Sequence, residues 1–198
     1  MLGQINRGSS LGEYIYNISS RDEVNSIVEI GTWNGCGSTR CVIDAIKGKD
    51  KQLTTIELCP SQYVEAVKNV GEYADSLSNI KMLNGSIINY EDAFWFDHSE
   101  EGVNAEWLKV DMNLLKVADN VLGEVPSEIG FLILDGGEYT TYPEYCILKD
   151  RSKIICLDDT KTFKCTKILA EICREKGLQP LVISDERNGF AIFERITK

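Results

Sequence analysis

The chain predicts an α/β fold: a doubly wound, mostly parallel sheet of seven strands that finishes in a C-terminal antiparallel β-hairpin. Three observations carry that prediction. Short apolar runs of strand character alternate five times with stretches of helical spacing, which implies a parallel sheet with helices on both faces. The first of these runs, Ile27–Ile30, passes straight into a glycine-rich turn, Gly31-Thr32-Trp33-Asn34-Gly35-Cys36-Gly37. Near the end, two strand-like runs are joined by Asp185-Glu186-Arg187-Asn188, a hairpin signal that adds an antiparallel strand at one side of the sheet.

The elements follow in order. Ser9 or Ser10 caps a helix to about Ile18, with Leu11, Tyr14, Ile15 and Ile18 on one face, placed to cover a sheet edge. Strand character over Ser26–Ile30 leads through the glycine turn to a helix from Ser38 to Ile46. Gln52–Glu57 is a second strand, stopped by Cys59-Pro60, and Ser61–Val70 has helical spacing. Ile80–Leu83 is a third strand, ending in Asn84-Gly85-Ser86. Periodicity then fails from Tyr90 to Gly102, where Phe94, Trp95, Phe96 and His98 cluster; these aromatics read either as a ligand wall or as anchors of a loop. Ala105–Leu122 is helical, Gly130–Leu134 is a strand, and Tyr142–Lys149 is a short helix. Lys153–Leu157 is the fifth strand, Lys164–Lys176 a long helix stopped by Gly177, and Gln179–Ser184 and Gly189–Arg195 form the hairpin. No repeat, linker or low-complexity segment divides the 198 residues, so the reading is one domain: a helical cap over 1–22 and a core over 26–195.

Composition narrows the function. At 43% hydrophobic and 26% charged residues the chain is ordinary globular material, and no apolar run approaches the roughly 20 residues of a membrane span. A net charge of −10 without a basic patch argues against a nucleic-acid partner, which needs a surplus of Lys and Arg to meet phosphates. Seven cysteines without a Cys-x-x-Cys pair fall mostly in apolar patterns, as in a reducing, cytoplasmic compartment.

The chemistry-bearing residues gather at predicted strand ends. A glycine turn between strand and helix presents backbone N–H groups to a nucleotide-like ligand, and lets that ligand touch the backbone where a Cβ would block it. Glu29 lies inside the strand before the turn, where an unpaired carboxylate is costly and a cationic ligand would relieve it. Glu57 ends the second strand, where a carboxylate can accept two ribose hydroxyls or cap the strand end. Asp135, Glu138, Asp158 and Asp159 crowd the ends of the fourth and fifth strands; carboxylates so placed must raise a pKa, bind a cation or spread apart.

With these motifs in view, the chain resembles the class I S-adenosylmethionine-dependent methyltransferases. The resemblance rests on Glu29-x-Gly31-x-x-x-Gly35 and on a doubly wound sheet closed by a hairpin, from about residue 26 to 195. Asp135-Gly136 followed by an aromatic-rich helix, with Asp158-Asp159 after the next strand, resembles the small O-methyltransferase branch acting on catechols and on sugar hydroxyls. The resemblance implies S-adenosylmethionine as cofactor, held by Glu29, Gly31, Thr32, Trp33, Gly35, Ser38, Glu57, Leu58, Gly85, Ser86, Ile87 and Asp135. Glu29 would sit near the methionine end, Glu57 on the ribose, and Ser86 and Ile87 by the adenine.

In that branch, aspartates matching Asp135, Asp158 and Asp159 hold magnesium, an ion that suits oxygen ligands. This chain departs from the pattern: Glu138 stands where relatives carry a histidine or a lysine base, and no Pro-Gly-Gly turn precedes the fifth strand. Metal dependence is therefore open at this stage. Without a metal, the candidate bases are Asp135, Glu138, Asp158, Asp159 and the sole histidine, His98.

The acceptor implied is a small molecule or glycan, most simply a sugar hydroxyl, with a phenol or catechol as the alternative. A short chain of this kind can also serve as one module of a larger glycan-building enzyme. Two readings from other classes compete. An NAD-dependent oxidoreductase would use Glu57 equally well, but Trp33 takes the place of the second glycine in Gly-x-Gly-x-x-Gly. A non-catalytic binding module would have little use for the acidic cluster.

Overall fold

Seven strands form one sheet in the order β3-β2-β1-β4-β5-β7-β6 in the computed structural model, which describes residues 4–74, 76–98 and 102–196. Strands β1 (Ser26–Ile30), β2 (Gln52–Glu57), β3 (Ile80–Asn84), β4 (Ile129–Leu134) and β5 (Ser152–Asp158) pair in parallel. β6 (Leu178–Ser184) and β7 (Phe190–Arg195) form the hairpin, and β7 inserts antiparallel between β5 and β6. The parallel pairings need crossovers, supplied by α2 (Ser38–Ile46), α3 (Pro60–Tyr73), α4 (Ala105–Leu115) and α5 (Thr141–Leu148), while α6 (Phe163–Ile172) leads from β5 to the hairpin. α1 (Ser10–Ser19) precedes the sheet, capped by Ser9, whose hydroxyl accepts from the Gly12 amide.

The two-residue alternation of each strand sorts its side chains between two cores. Ile27, Phe131, Ile133, Ile154, Cys156 and Ile192 face one layer, packed under α1, α2 and Val70 of α3. Val28, Ile30, Leu132, Leu134, Ile155, Leu157 and Phe193 face the other, beneath α5, α6 and Leu115 of α4. α1 was expected over a sheet edge, but it lies on this first face beside α2. Ile15 and Ile18 are buried there, because four apolar positions at helical spacing bury better against a sheet face than along an edge.

A second correction concerns α4, which ends at Leu115 rather than at Leu122. Residues after it leave the helix to pair with the end of β3: the Ser86 amide donates to the Asp119 carbonyl, and the Val121 amide donates to that of Ser86. Gly85 permits this close approach, since a Cβ there would stand 2.4 Å from the Asp119 carbonyl oxygen. All seven cysteines are free, and among the described residues no helix is long and apolar enough to cross a membrane.

Candidate active site

The C-terminal ends of β2, β1, β4 and β5 lie side by side, and two clefts open along them. The cleft on the β5 side holds about 330 Å³ and that on the β2 side about 200 Å³, so that together they reach the scale of a small-ligand site. They share Gly31, Trp33, Asp135 and Gly136 in their walls. Gly31 has φ +94°, and a Cβ on it would stand 2.1 Å from the Asp135 carbonyl oxygen, so only glycine fits where β1 and β4 diverge. Gly35, at φ +76°, turns the chain over Ala66 and Val70 of α3. Trp33 itself has φ +49° and leaves its ring half exposed over both clefts.

Beneath the turn, Glu29 is fully buried. Its Oε2 accepts hydrogen bonds from the hydroxyls of Thr39 (2.7 Å) and Thr55 (2.6 Å), and Ser38 adds a third hydroxyl contact. Burial pushes its pKa up to about 7 against these donors. Glu29 thus ties β1 to the first turn of α2 and to β2, and it supports the cleft from below while Ser38 lines it.

On the β2 side, Glu57 fixes the turn from the other direction. Its Oε2 accepts from the Trp33 amide (2.7 Å) and its Oε1 from the Cys59 amide (2.8 Å), and burial still raises its pKa. The strand-end capping considered for this residue is therefore present, and each oxygen keeps a further lone pair for a ligand in the cleft. Leu58 and Gly85 line the same cleft. Ser86 and Ile87 do not: the Ser86 hydroxyl accepts from the Ile88 amide and Ile87 is buried in the core, because the pairing with Asn120 turns both inward. Two residues not singled out from sequence, Asp111 of α4 and Glu144 of α5, complete the floor. Asp111 accepts from the Tyr139 amide (3.0 Å). Glu144 is buried, its Oε2 has no hydrogen-bond partner among the described residues, and burial, with Asp111 and Glu57 nearby, pushes its pKa up to about 8.

On the β5 side the predicted carboxylates do converge. Asp135, Asp158 and Asp159 bring one oxygen each within 4.8 Å of one another. Two cations that sequence reasoning missed hold them. The Lys164 ammonium, 6% exposed, lies 2.7 Å from Asp135 Oδ1 and 2.8 Å from Asp159 Oδ2. Arg187 of the hairpin turn reaches Asp158 Oδ2 at 3.3 Å and also donates to Gln4, which lines the cleft with Ile5. Asp159, at φ +56°, accepts from Asn188 as well (3.1 Å). Burial and the two neighbouring aspartates push Asp158 up to about 6, whereas burial of Asp159 is overcome by Lys164 and its pKa falls. The same two carboxylates outweigh the burial of Lys164 and hold its pKa above the ordinary range.

The donor chemistry of the trio would suit magnesium, but the arrangement does not fit that ion as it stands. Mg²⁺ needs oxygens at about 2.0–2.1 Å, whereas Asp135 and Asp159 are spaced around a nitrogen at 2.7–2.8 Å, and that nitrogen is already a cation.

Two further candidates lie elsewhere. Glu138 accepts from the Lys164 amide (3.2 Å) and the Thr162 hydroxyl (3.3 Å), and so closes the start of α6. It lines neither cleft. His98 stacks on Phe94 with ring centroids 4.8 Å apart, and its buried Nε2 has no hydrogen-bond partner among the described residues. Phe96 packs on Tyr139 and Phe163, and Trp95 donates to the Tyr139 carbonyl (3.0 Å). Trp95 and Phe96 anchor their loop to α5 and α6, and none of Phe94, Trp95, Phe96 and His98 lines either of these two clefts. Residues 99–101 of that loop lie outside the described residues.

A parallel sheet with a switch at β1/β4, a glycine turn there and an inserted antiparallel β7 is the class I methyltransferase fold. Solved methyltransferases share it. The O-methyltransferase of Bacillus cereus in complex with SAH superposes with TM-score 0.65 at 12% identity, over 98% of this chain and 84% of that one. TomG of Streptomyces achromogenes, an O-methyltransferase involved in tomaymycin synthesis and solved with SAM, gives 0.62 at 14%, over 99% and 84%. An rRNA methylase of Streptococcus thermophilus gives 0.58 at 10%, over 98% and 99%. No protein-family model and no curated protein matches the chain.

Proposed function

We propose that the chain is an S-adenosylmethionine-dependent O-methyltransferase acting on a hydroxyl of a small polar acceptor, a free sugar or a glycan. The observation that carries this reading is the pair of clefts meeting at Gly31, Asp135 and Gly136, one presenting Glu57 and the other a carboxylate–ammonium cluster. When bound, S-adenosylmethionine supplies a methyl group on a sulfonium; the acceptor oxygen bonds to that carbon as the carbon–sulfur bond breaks, and sulfur keeps the electron pair.

The chain's own residues do the rest. Glu57, already oriented by two amides, offers its remaining lone pairs to vicinal hydroxyls in the β2 cleft. Gly31 lets the ligand approach the backbone, and Trp33 covers both clefts from solvent. On the β5 side, Asp158 is the one carboxylate of the trio that Lys164 does not bind directly. It keeps the basicity to take the acceptor's proton, with Arg187 fixing one of its oxygens.

The acceptor class follows from the β5 cleft. Gln4, Ser38, Asp158, Asp159, Lys164 and Arg187 give it a wall of donors and acceptors, which a polyhydroxyl compound satisfies better than a flat aryl ring. A net charge of −10 supports a small acceptor over a nucleic acid.

The test is a thermal-shift panel with S-adenosylmethionine, S-adenosylhomocysteine, NAD and NADP, followed by incubation of sugars and phenols with the methyl donor and mass spectrometry of the products. Stabilisation by the two adenosyl compounds alone, near 2.7 kcal/mol at about 100 times Kd, supports the reading. Stabilisation by NAD, or methylation of phenols alone, replaces it.

A further inference from the structure

We propose that Lys164 is the resident cation of this site. Its ammonium holds the position between Asp135 and Asp159 that a divalent metal would need, so the chain works without one. The proposal rests on the methyl-transfer reading only for what the ammonium does to the acceptor.

Three observations carry it. First, Lys164 is no surface lysine swung into the cleft: its side chain is 6% exposed, its Nζ contacts Asp135 and Asp159 at 2.7 and 2.8 Å, and it lines the β5 cleft. Second, its backbone is anchored: Glu138 accepts a hydrogen bond from the Lys164 amide at the start of α6 and so aims the lysine. Third, the charges are nearly closed. Arg187 meets Asp158 at 3.3 Å and Asp159 at 3.9 Å, and Asn188 donates to Asp159, so two cations face three carboxylates. A divalent ion on the same oxygens would have to expel a buried ammonium or sit against it, like charge against like.

An ammonium also performs part of a metal's work. It carries three donors, and among the described residues Asp135 and Asp159 take two of them. The third is left for the acceptor oxygen, positioning it and stabilising its growing negative charge as its proton passes to Asp158 and its new bond to the methyl carbon forms.

The experiment measures Mn²⁺ binding by the loss of the free-ion electron paramagnetic resonance signal, using the full chain and its Lys164→Ala and Lys164→Met variants, with S-adenosylhomocysteine present. The wild-type chain is expected to leave the free Mn²⁺ signal unchanged. The variants, with the ammonium removed and the carboxylates exposed to the cleft, are expected to deplete it, and adding Asp159→Asn to either should restore it. Wild-type binding that Asp135→Asn abolishes overturns the proposal, as does a folded Lys164→Ala chain that takes up no Mn²⁺. Should neither lysine variant fold, the wild-type arm decides alone: no Mn²⁺ uptake, with the thermal shift by S-adenosylmethionine unchanged in EDTA, supports the proposal. Loss of that shift in EDTA overturns it. Absence of any shift by S-adenosylmethionine, with or without EDTA, counts against the methyl-transfer reading, while the Mn²⁺ result still judges the cation.

Discussion

The two clefts that meet at Gly31 are both rich in buried and half-buried carboxyl groups, yet they satisfy them in opposite ways. On the β5 side, Asp135, Asp158 and Asp159 are held by the charges of Lys164 and Arg187. On the β2 side no ion pair forms among the described residues. Glu57 and Asp111 rest on backbone amides, and Glu144 keeps its proton into the neutral range. Under the methyl-transfer reading proposed above, charge-held carboxylates can stay ionised beside an acceptor that must lose a proton. Amide-held ones remain oriented acceptors for a ligand's hydroxyls without a counter-ion crowding the cleft. The same residue type therefore serves two tasks, and its partners decide which.

The largest test of this contrast is Asp135→Ala. Removing one of the two carboxylates that flank Lys164 should lower turnover by at least about 10²-fold, while the affinity for S-adenosylmethionine, read by calorimetry, falls much less. Full activity in that variant would take Asp135 out of the mechanism.

The counterpart on the β2 side is Glu57→Ala, which should act on binding instead. Hydrogen bonds to a charged group contribute about 1.5–3 kcal/mol, hence about 10- to 150-fold in Kd. If kcat at saturating cofactor falls instead, the division of labour between the clefts is wrong.

Glu144 sharpens the comparison through pH. Its folded-state pKa is raised from 4.5 to about 8, so between those values the unfolded chain gives up a proton that the folded chain retains. Its contribution to stability is complete below 4.5, is lost as pH rises towards 8 at up to about 1.4 kcal/mol per unit, and then levels off. Glu144→Gln should therefore gain in melting temperature over wild type progressively as pH increases across that window. An advantage that does not change with pH would mean that Glu144 is already ionised.

The smallest expected effect is that of Glu138→Ala. Loss of a carboxylate at a helix start costs about 0.5–2 kcal/mol, visible as a lower denaturation midpoint, with turnover reduced only as far as Lys164 loses its aim. A loss of turnover as large as that of Asp135→Ala would restore Glu138 as a candidate base.

Much of this molecule is legible in the residues themselves. β1 at Ser26–Ile30, α2 at Ser38–Ile46 and β2 at Gln52–Glu57 have the bounds that their apolar spacing predicts, because each is a short buried element bounded by Gly, Pro or charge. The places of Gly31, Glu57 and the aspartate trio along the clefts were readable for a related reason: they stand at or next to strand ends, and a parallel sheet brings the ends of its strands to one edge, whereas Gly35 packs on α3 and lines neither cleft. The end of α4 is not legible, because Lys116–Val121 carries no helix breaker; its departure from helix is driven by pairing with Ser86, a partner about thirty residues away.

The order of elements, the two-sided sheet, the glycine turn and the acidic edge were thus determined by the sequence alone, since each depends on spacing along the chain. Tertiary structure decided the partners. Lys164 arrives from α6, Arg187 from the hairpin turn, Asp111 from α4 and Glu144 from α5. Nothing in the periodicity of those elements marks these four residues, because a lysine or glutamate on a helix reads as solvent-facing until packing buries it. Whether a buried carboxyl is then ionised, protonated or paired depends on the groups within a few ångströms of it, and only the folded chain places them there.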